Sequence, residues 1–156
     1  MANYAVTGTQ AATSASYKTA IVITSSATVR RIKWYDILVG TAGTPADNYM
    51  QFDVSRVTAA GTSTAFTPLQ LDPADAVALS AAGVNSTVEP TVTASSSMWN
   101  VGINQRASYR WVAAPGSELL YPAASSATGT NGLVLQARSP TGYTGTVTGS
   151  ILLSEQ

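Results

Sequence analysis

The residues that could carry acid–base chemistry in this chain are carboxylates, because histidine and cysteine are both missing from its 156 residues. Histidine is the usual general base near neutral pH and the commonest metal ligand, and a thiolate is the alternative nucleophile. Their absence excludes Ser-His-Asp and Cys-His hydrolases. A zinc site would need carboxylate ligands alone, which is rare. Carboxylate-pair glycosidases and calcium sites stay compatible with the composition.

The aspartates are the candidates for such chemistry. Asp36, Asp47 and Asp53 could supply the two carboxyl groups that a glycosidase places on either side of a sugar. Asp53 lies on the polar side of a predicted strand, and Asp47 stands in a Pro-Ala-Asp-Asn turn that favours aspartate. Asp72 and Asp75 lack the spacing of an EF-hand loop and fit helix capping. We therefore predict turn, surface and capping roles, with no catalytic residue, no metal site and no cofactor.

The aromatic residues allow a second kind of chemistry, the stacking of sugar rings on a flat platform. The candidates are Trp34, Tyr35, Trp99, Tyr109, Trp111 and Tyr121. Three tryptophans in a small sandwich are more simply explained as core, since each buries a large apolar area. Trp111 is the most ambiguous, because it stands close to the Pro115-Gly116 turn. We favour the core and keep sugar binding as the alternative.

Arg30, Arg31 and Lys33 form the one local cluster of basic residues. In an extended strand Arg31 and Lys33 share a face and Arg30 opposes them. Such a cluster is usually solvated or held in local ion pairs, and it could also dock onto an acidic protein surface.

The charge of the chain argues against nucleic-acid binding. Eight basic and eight acidic residues give a formal net charge of zero, and only 10% of the residues are charged, against about 25% in an average domain. A nucleic-acid partner normally requires a basic patch or arm. The N-terminus has neither a basic stretch nor an apolar one, so we predict no signal peptide, and no apolar run is long enough to span a membrane.

The elements that position these residues are mostly short strands rich in β-branched residues, separated by turn formers. We predict an extended N-terminal arm over residues 1–16 and one domain over residues 17–156. One short helix is predicted from Asp72, Pro73 and Asp75 at its start to Gly83 at its end. The predicted strands are Tyr17–Thr24, Thr28–Val39, Tyr49–Val57, Val88–Thr93, Ser97–Gln105, Ala107–Ala113, Glu118–Tyr121, Gly132–Arg138 and Tyr143–Leu153. The fold class is therefore all-β, a β-sandwich or jelly roll of about eight strands.

Several motifs resemble the capsid decoration, or cement, proteins of tailed bacteriophages. They lie within residues 31–123 and are Trp34-Tyr35, Pro45-Ala46-Asp47-Asn48, Arg56, Leu71-Asp72-Pro73, Asn104 to Arg106, Arg110-Trp111-Val112 and Pro115-Gly116. The resemblance implies a jelly roll that assembles as a homotrimer on the outer capsid surface. There it would bind the major capsid protein and stabilise the shell against the pressure of packaged DNA.

The functional prediction is therefore a non-enzymatic virion structural protein, made in the host cytoplasm, without nucleic-acid or membrane partners. The alternative is a carbohydrate-binding or receptor-binding β-sandwich module. The arm is expected to become ordered on the capsid or on a neighbouring subunit. The residues predicted to lie at the protein interface are Tyr4, Arg30, Arg31, Lys33, Tyr35, Arg56, Arg106, Arg110 and Trp111.

Overall fold

In the computed structural model of this chain, residues 2–12, 15–25, 31–121, 131–139 and 145–156 are described. They form twelve β-strands, with the bounds β1 Ala2–Ala12, β2 Lys18–Thr24, β3 Ile32–Ala42, β4 Tyr49–Ala59, β5 Thr62–Phe66, β6 Leu69–Gln70, β7 Ala81–Val88, β8 Thr91–Asn104, β9 Tyr109–Val112, β10 Leu119–Tyr121, β11 Gly132–Arg138 and β12 Gly145–Glu155. The strands make two antiparallel sheets, which confirms the predicted all-β sandwich.

The strand order identifies the sandwich as a jelly roll. The front sheet has the order β10-β3-β12-β1-β6, with β9 also paired to β3, and the back sheet has the order β5-β7-β2-β11-β4-β8. Within these orders, β9-β3-β12-β1 and β2-β11-β4-β8 are the two four-stranded sheets of an eight-stranded jelly roll. Of the four remaining strands, β5, β6 and β7 belong to an insertion over residues 60–90, and β10 pairs with β3.

The core lies between the two sheets and is built by alternation along the strands. On β12, Val147, Gly149, Ile151 and Leu153 are buried, while Thr148, Ser150 and Leu152 between them are half-buried. Gly8 and Gly149 face each other where β1 pairs with β12. A Cβ atom at Gly8 would lie 2.6 Å from the carbonyl oxygen of Ala20. The sheets approach closely at this point because neither residue has a side chain.

The predicted N-terminal arm is wrong for residues 2–12. This segment is strand β1, which pairs with β12 from Ala2 opposite Glu155 to Ala12 opposite Gly145. Tyr4 and Val6 point inward and are 2% and 0% exposed. The segment has little apolar content, and its backbone is stabilised by a partner strand at the other end of the chain.

The predicted helix is also wrong. The described residues contain no helix, and Asp72 caps only a single turn, accepting a hydrogen bond of 2.9 Å from the amide of Ala74. A short alanine-rich helix gains little from packing and must overcome a costly nucleation step. Tertiary hydrogen bonds take the backbone groups instead. Glu155 accepts from the amides of Leu79 and Ser80 at 3.0 and 2.8 Å.

The insertion closes one side of the sandwich. Strand β6 pairs with β1 at the edge of the front sheet, and β7 pairs with β2 at the matching edge of the back sheet. Strand β5 in turn pairs with β7. The described residues include no helix with the length and apolar character that crossing a bilayer requires.

Candidate functional site: the outer face of the front sheet

The outer face of the front sheet is a broad regular surface, which we call the front face. Its positions follow from the register and from the alternation of β1, β12 and β3. They are Asn3, Ala5, Thr7, Thr9 and Ala11 on β1, then Thr146, Thr148, Ser150, Leu152 and Ser154 on β12, then Lys33, Asp36, Leu38, Gly40 and Ala42 on β3. Two of these fifteen positions carry a charge, and the rest are small, hydroxyl-bearing, amide or aliphatic.

The carboxylate on the front face is paired. Arg110 of β9 lies opposite Leu38, two residues along β3 from Asp36. Its guanidinium donates hydrogen bonds from Nε to both carboxylate oxygens of Asp36, at 3.0 and 3.2 Å, and a further one from Nη2. The Asp36 side chain is 8% exposed and that of Arg110 is 62% exposed. Hydrogen bonding to Asp36, followed by its charge, raises the pKa of Arg110.

A second pair of opposite charges lies at one end of the front face. Lys33, Tyr35 and Glu118 line a depression of about 380 Å³ together with Asn3 and Ser154. The pKa of Glu118 is lowered by hydrogen bonds from its own backbone amide and that of Gly116, and then by the charge of Lys33. Charges of both signs on this face therefore lie close to compensating partners.

Tyr35 reaches this depression because β3 contains a β-bulge. Leu152 pairs with Asp36 and Leu153 pairs with Trp34, so Tyr35 is the extra residue. The bulge shifts the alternation of β3, which places Trp34 and Ile37 both inward. Burial, and then the charge of Asp36, raises the pKa of Tyr35. The carbonyl of Tyr35 also accepts a hydrogen bond of 2.8 Å from the amide of Ala113.

The centre of the front face is a shallow groove. Leu38, 44% exposed, and Thr148 are shared by two adjoining depressions of about 330 and 400 Å³. Thr7, Thr9 and Ser150 line the second of them. The groove thus offers hydroxyl groups around an aliphatic centre, a composition that suits a protein surface better than an ionic ligand.

Arg106 lies at the far end of the groove, on the loop between β8 and β9. Buried Gln105 holds this loop. Its side-chain oxygen accepts from the amide of Ala46 at 3.0 Å, and its side-chain amide donates to Ser139 Oγ at 3.3 Å. The structure therefore places Lys33, Tyr35, Arg106 and Arg110 of the predicted interface around one surface.

The other predicted interface residues lie elsewhere. Tyr4 is buried and its hydroxyl donates to the carbonyl of Ala76 at 2.9 Å, so its predicted place at the surface is wrong. Trp111 points inward opposite Ile37 and packs against the core while staying half-buried. Arg31 is exposed before β3, and Arg56 is exposed on the back sheet. Arg30 lies outside the described residues.

Asp53 has a structural environment that the sequence did not reveal. It is 4% exposed, and its carboxylate accepts hydrogen bonds from Ser55, Ser97, Asn100 and Gln136. Burial alone would raise the pKa of Asp53, but these four hydrogen bonds outweigh it and lower the pKa. The predicted surface role of Asp53 is therefore wrong, although its predicted place on the polar side of the strand agrees with its polar neighbours.

The candidate acid–base residues are held apart by the fold. Asp36 lies on the front face, whereas Asp53 belongs to β4 of the back sheet and lies on its outer side, in contact with Gln136 of β11. The core of the sandwich separates the two carboxylates. Asp47 accepts a hydrogen bond of 2.6 Å from Asn104 on a loop. These three aspartates do not converge on one substrate position.

Comparison with known proteins gives only distant structural similarity. No family model matches the chain, and no curated protein matches it. A chain of a solved structure titled Desmodium yellow mottle tymovirus is 10% identical, with a TM-score of 0.37, over 97% of this chain and 83% of that one. The jelly-roll assignment rests on the strand order described above.

Proposed function

We propose that this chain is a virion structural protein, a decoration or cement protein that binds the outer surface of a tailed phage capsid. The observation that carries the proposal is the front face, a broad sheet surface on which the charged side chains lie beside opposite charges. Its partner would be the major capsid protein. By bridging neighbouring capsid subunits, the bound protein would stabilise the shell against the pressure of packaged DNA.

The front face suits such a partner for energetic reasons. A specific interface buries about 800 Å² on each side and is depleted of charge at its centre. Here the centre is Leu38, surrounded by threonine and serine hydroxyls. Covering these groups avoids the large desolvation cost of unpaired ions. Arg110 and Arg106, at the margin of the groove, fit the polar rim of an interface.

The proposed assembly is a homotrimer, as the resemblance to decoration proteins implies. Three copies joined together would contact the capsid at three places at once. Individually weak contacts then act as one strong attachment, because the second and third binding events are intramolecular. The zero net charge of the chain supports a protein partner over nucleic acid or a membrane surface.

The test uses particles of the tailed phage that carries the gene, prepared from a deletion of that gene. Added wild-type protein should sediment with these particles and raise the temperature at which they release DNA. Leu38→Lys should reduce binding at least tenfold, because it places a charge at the centre of the front face. Val88→Lys, at a 58% exposed position on the insertion, is the matched control. Wild-type protein that does not bind the particles would contradict the proposal.

A second candidate function is glycan or receptor binding, and one observation favours it. The rings of Trp99 and Tyr109 lie 6.1 Å apart at one side of the sandwich, and Tyr109 is 39% exposed. Trp111 is half-buried on the same strand as Tyr109. Saturable binding of host polysaccharide that is lost in Trp99→Ala and Trp111→Ala, with no binding to capsids, would favour this function instead.

A further inference from the structure

The two lateral edges of the sandwich differ in whether further strands cover them. On one side the insertion strands cover β1 and β2. On the other side, β8 ends the back sheet and β9 lies at the edge of the front sheet next to β3. Among the described strands, β8 pairs only with β4 and β9 only with β3. We call this second side the β8–β9 edge.

Between Trp99 and Asn104, strand β8 lacks the features that usually protect a free edge. Proteins blunt exposed edge strands with charged residues, prolines, short length or coverage by another element. Strand β8 is 14 residues long, TVTASSSMWNVGIN, and contains neither a charged residue nor a proline. Its bulges are confined to the half that pairs with Ser55–Ala59, so the stretch from Trp99 to Asn104 is regular.

The hydrogen-bond pattern shows which groups of β8 face outward. The amide of Gln105 donates to the carbonyl of Asn48 at 2.8 Å. In an antiparallel ladder the pairs alternate, so Ile103 and Val101 also bond to β4. The backbone groups of Asn100 and Gly102 therefore point away from the sheet. A Cβ atom built on Gly102 meets no atom within 4 Å, which shows open space above the outer face of β8 at this position.

Side chains that face the core are left partly uncovered along this edge. Trp99, Val101 and Ile103 of β8 pack against the core and are only half-buried. Trp111 of β9 is in the same state. Tyr109, inward by register opposite Val39, is 39% exposed. The equivalent edge residues on the closed side, such as Val6 and Ile21, are completely buried.

We propose that copies of this chain associate with one another through the β8–β9 edge. The inference deepens the proposed function, on which it rests for the expectation of an oligomer, and it names the surface that joins the copies. The occupant is a neighbouring copy of this chain, because β8 carries no charged residue and the net charge of the chain is zero. Neither would repel an identical neighbour, and contact would cover Trp99, Tyr109 and Trp111.

The test measures the mass of the purified full chain in solution, without particles. Light scattering after size exclusion should give an oligomer for the wild type. Tyr109→Lys should lower the mass to that of the 16.0 kDa monomer. Gly102→Pro, which removes an outward amide while leaving the β4 ladder intact, should weaken association without removing any side chain. Leu69→Lys, 64% exposed on the closed side, introduces the same charge and should leave the oligomer unchanged.

The melting temperature of each variant shows whether it is folded. A monomeric wild type would overturn the inference, as would folded Tyr109→Lys and Gly102→Pro variants that keep the wild-type mass. A monomer that binds polysaccharide through this edge would also overturn the inference, and it would favour the glycan-binding function. If the copies associate through the edge but the protein does not bind particles, this inference is supported and only the capsid proposal is contradicted.

Discussion

Arg110 and Asp36 are joined across the ladder between β9 and β3, with the guanidinium exposed and the carboxylate buried. The two residues are not directly opposite each other, since Asp36 pairs with Val112 and Arg110 pairs with Leu38. The diagonal arrangement lets one arginine reach both carboxylate oxygens. It neutralises a charge that would otherwise be buried in the middle of the front face, and it ties the short edge strand β9 to the sheet.

We expect Arg110→Ala to destabilise the fold, because it leaves the buried carboxylate of Asp36 without its cation. The midpoint of urea unfolding should fall. Arg106→Ala, at an exposed position whose side chain makes no ion pair with a described residue, is the control and should leave the midpoint close to that of the wild type. In the Asp36→Asn background, Arg110→Ala should lower the free energy of unfolding by less than it does in the wild type. Equal costs in both backgrounds would show that the ion pair does not stabilise the protein.

The carboxylate of Asp53 should make stability depend on pH in the acid range. Its pKa in the folded state is lowered, so it contributes stability above the unfolded value of about 3.9. That contribution is lost as the pH falls from about 4 through the folded pKa. Asp53→Asn should destabilise the protein by about 1–3 kcal/mol at neutral pH. It should also flatten the loss of stability below pH 4, as measured by urea unfolding across a pH series. An unchanged acid profile would contradict this role.

The strands that the sequence predicted correctly are those whose own residue pattern is typical of a strand. Tyr49–Val57 alternates apolar and polar residues and is found as Tyr49–Ala59, and Gly132–Arg138 is found with the predicted bounds. Strand β1 was missed because its stability comes from β12, at the opposite end of the chain. The helix was predicted from capping residues that do form a turn, but the hydrogen bonds from Leu79 and Ser80 to Glu155 could not be foreseen.

The site was predictable only in part, because it depends on register. Lys33, Tyr35 and Arg110 were named as interface residues, yet nothing in their spacing showed that one sheet face would hold them. The bulge at Tyr35 changes which residues of β3 point outward. Tyr4 was placed at the surface because the segment around it carries few apolar residues. Register between distant strands decides these positions, and local pattern does not contain it.

Glu155 should control the local stability of the insertion. Its carboxylate accepts hydrogen bonds from two backbone amides and from the hydroxyl of Ser80 at 2.5 Å, and the group is 9% exposed. Glu155→Ala removes this anchor, so the amides of Leu79 and Ser80 should exchange with deuterium faster by about an order of magnitude or more. Amides in the β4–β11 ladder should change much less. Glu118→Ala, a change at a half-buried glutamate on a different loop, is the control. Equal exchange at Leu79 in the wild type and Glu155→Ala would show that the anchor is dispensable.

The close approach of the two sheets at Gly8 and Gly149 gives a sharp test of the packing. A methyl group at Gly8 would lie 2.6 Å from both the Ala20 carbonyl oxygen and Ile21 Cγ1, and one at Gly149 would lie 2.6 Å from Leu135 Cδ2. Gly8→Ala should therefore cost about 1–3 kcal/mol, because part of the obstruction is backbone. Gly149→Ala should cost less, since the Leu135 side chain can move. Gly102→Ala, in open space on β8, is the control and should be neutral or slightly stabilising. Urea unfolding of the three variants gives the order of their free energies of unfolding. A Gly8→Ala protein as stable as Gly102→Ala would show that the sheets do not meet at this glycine pair.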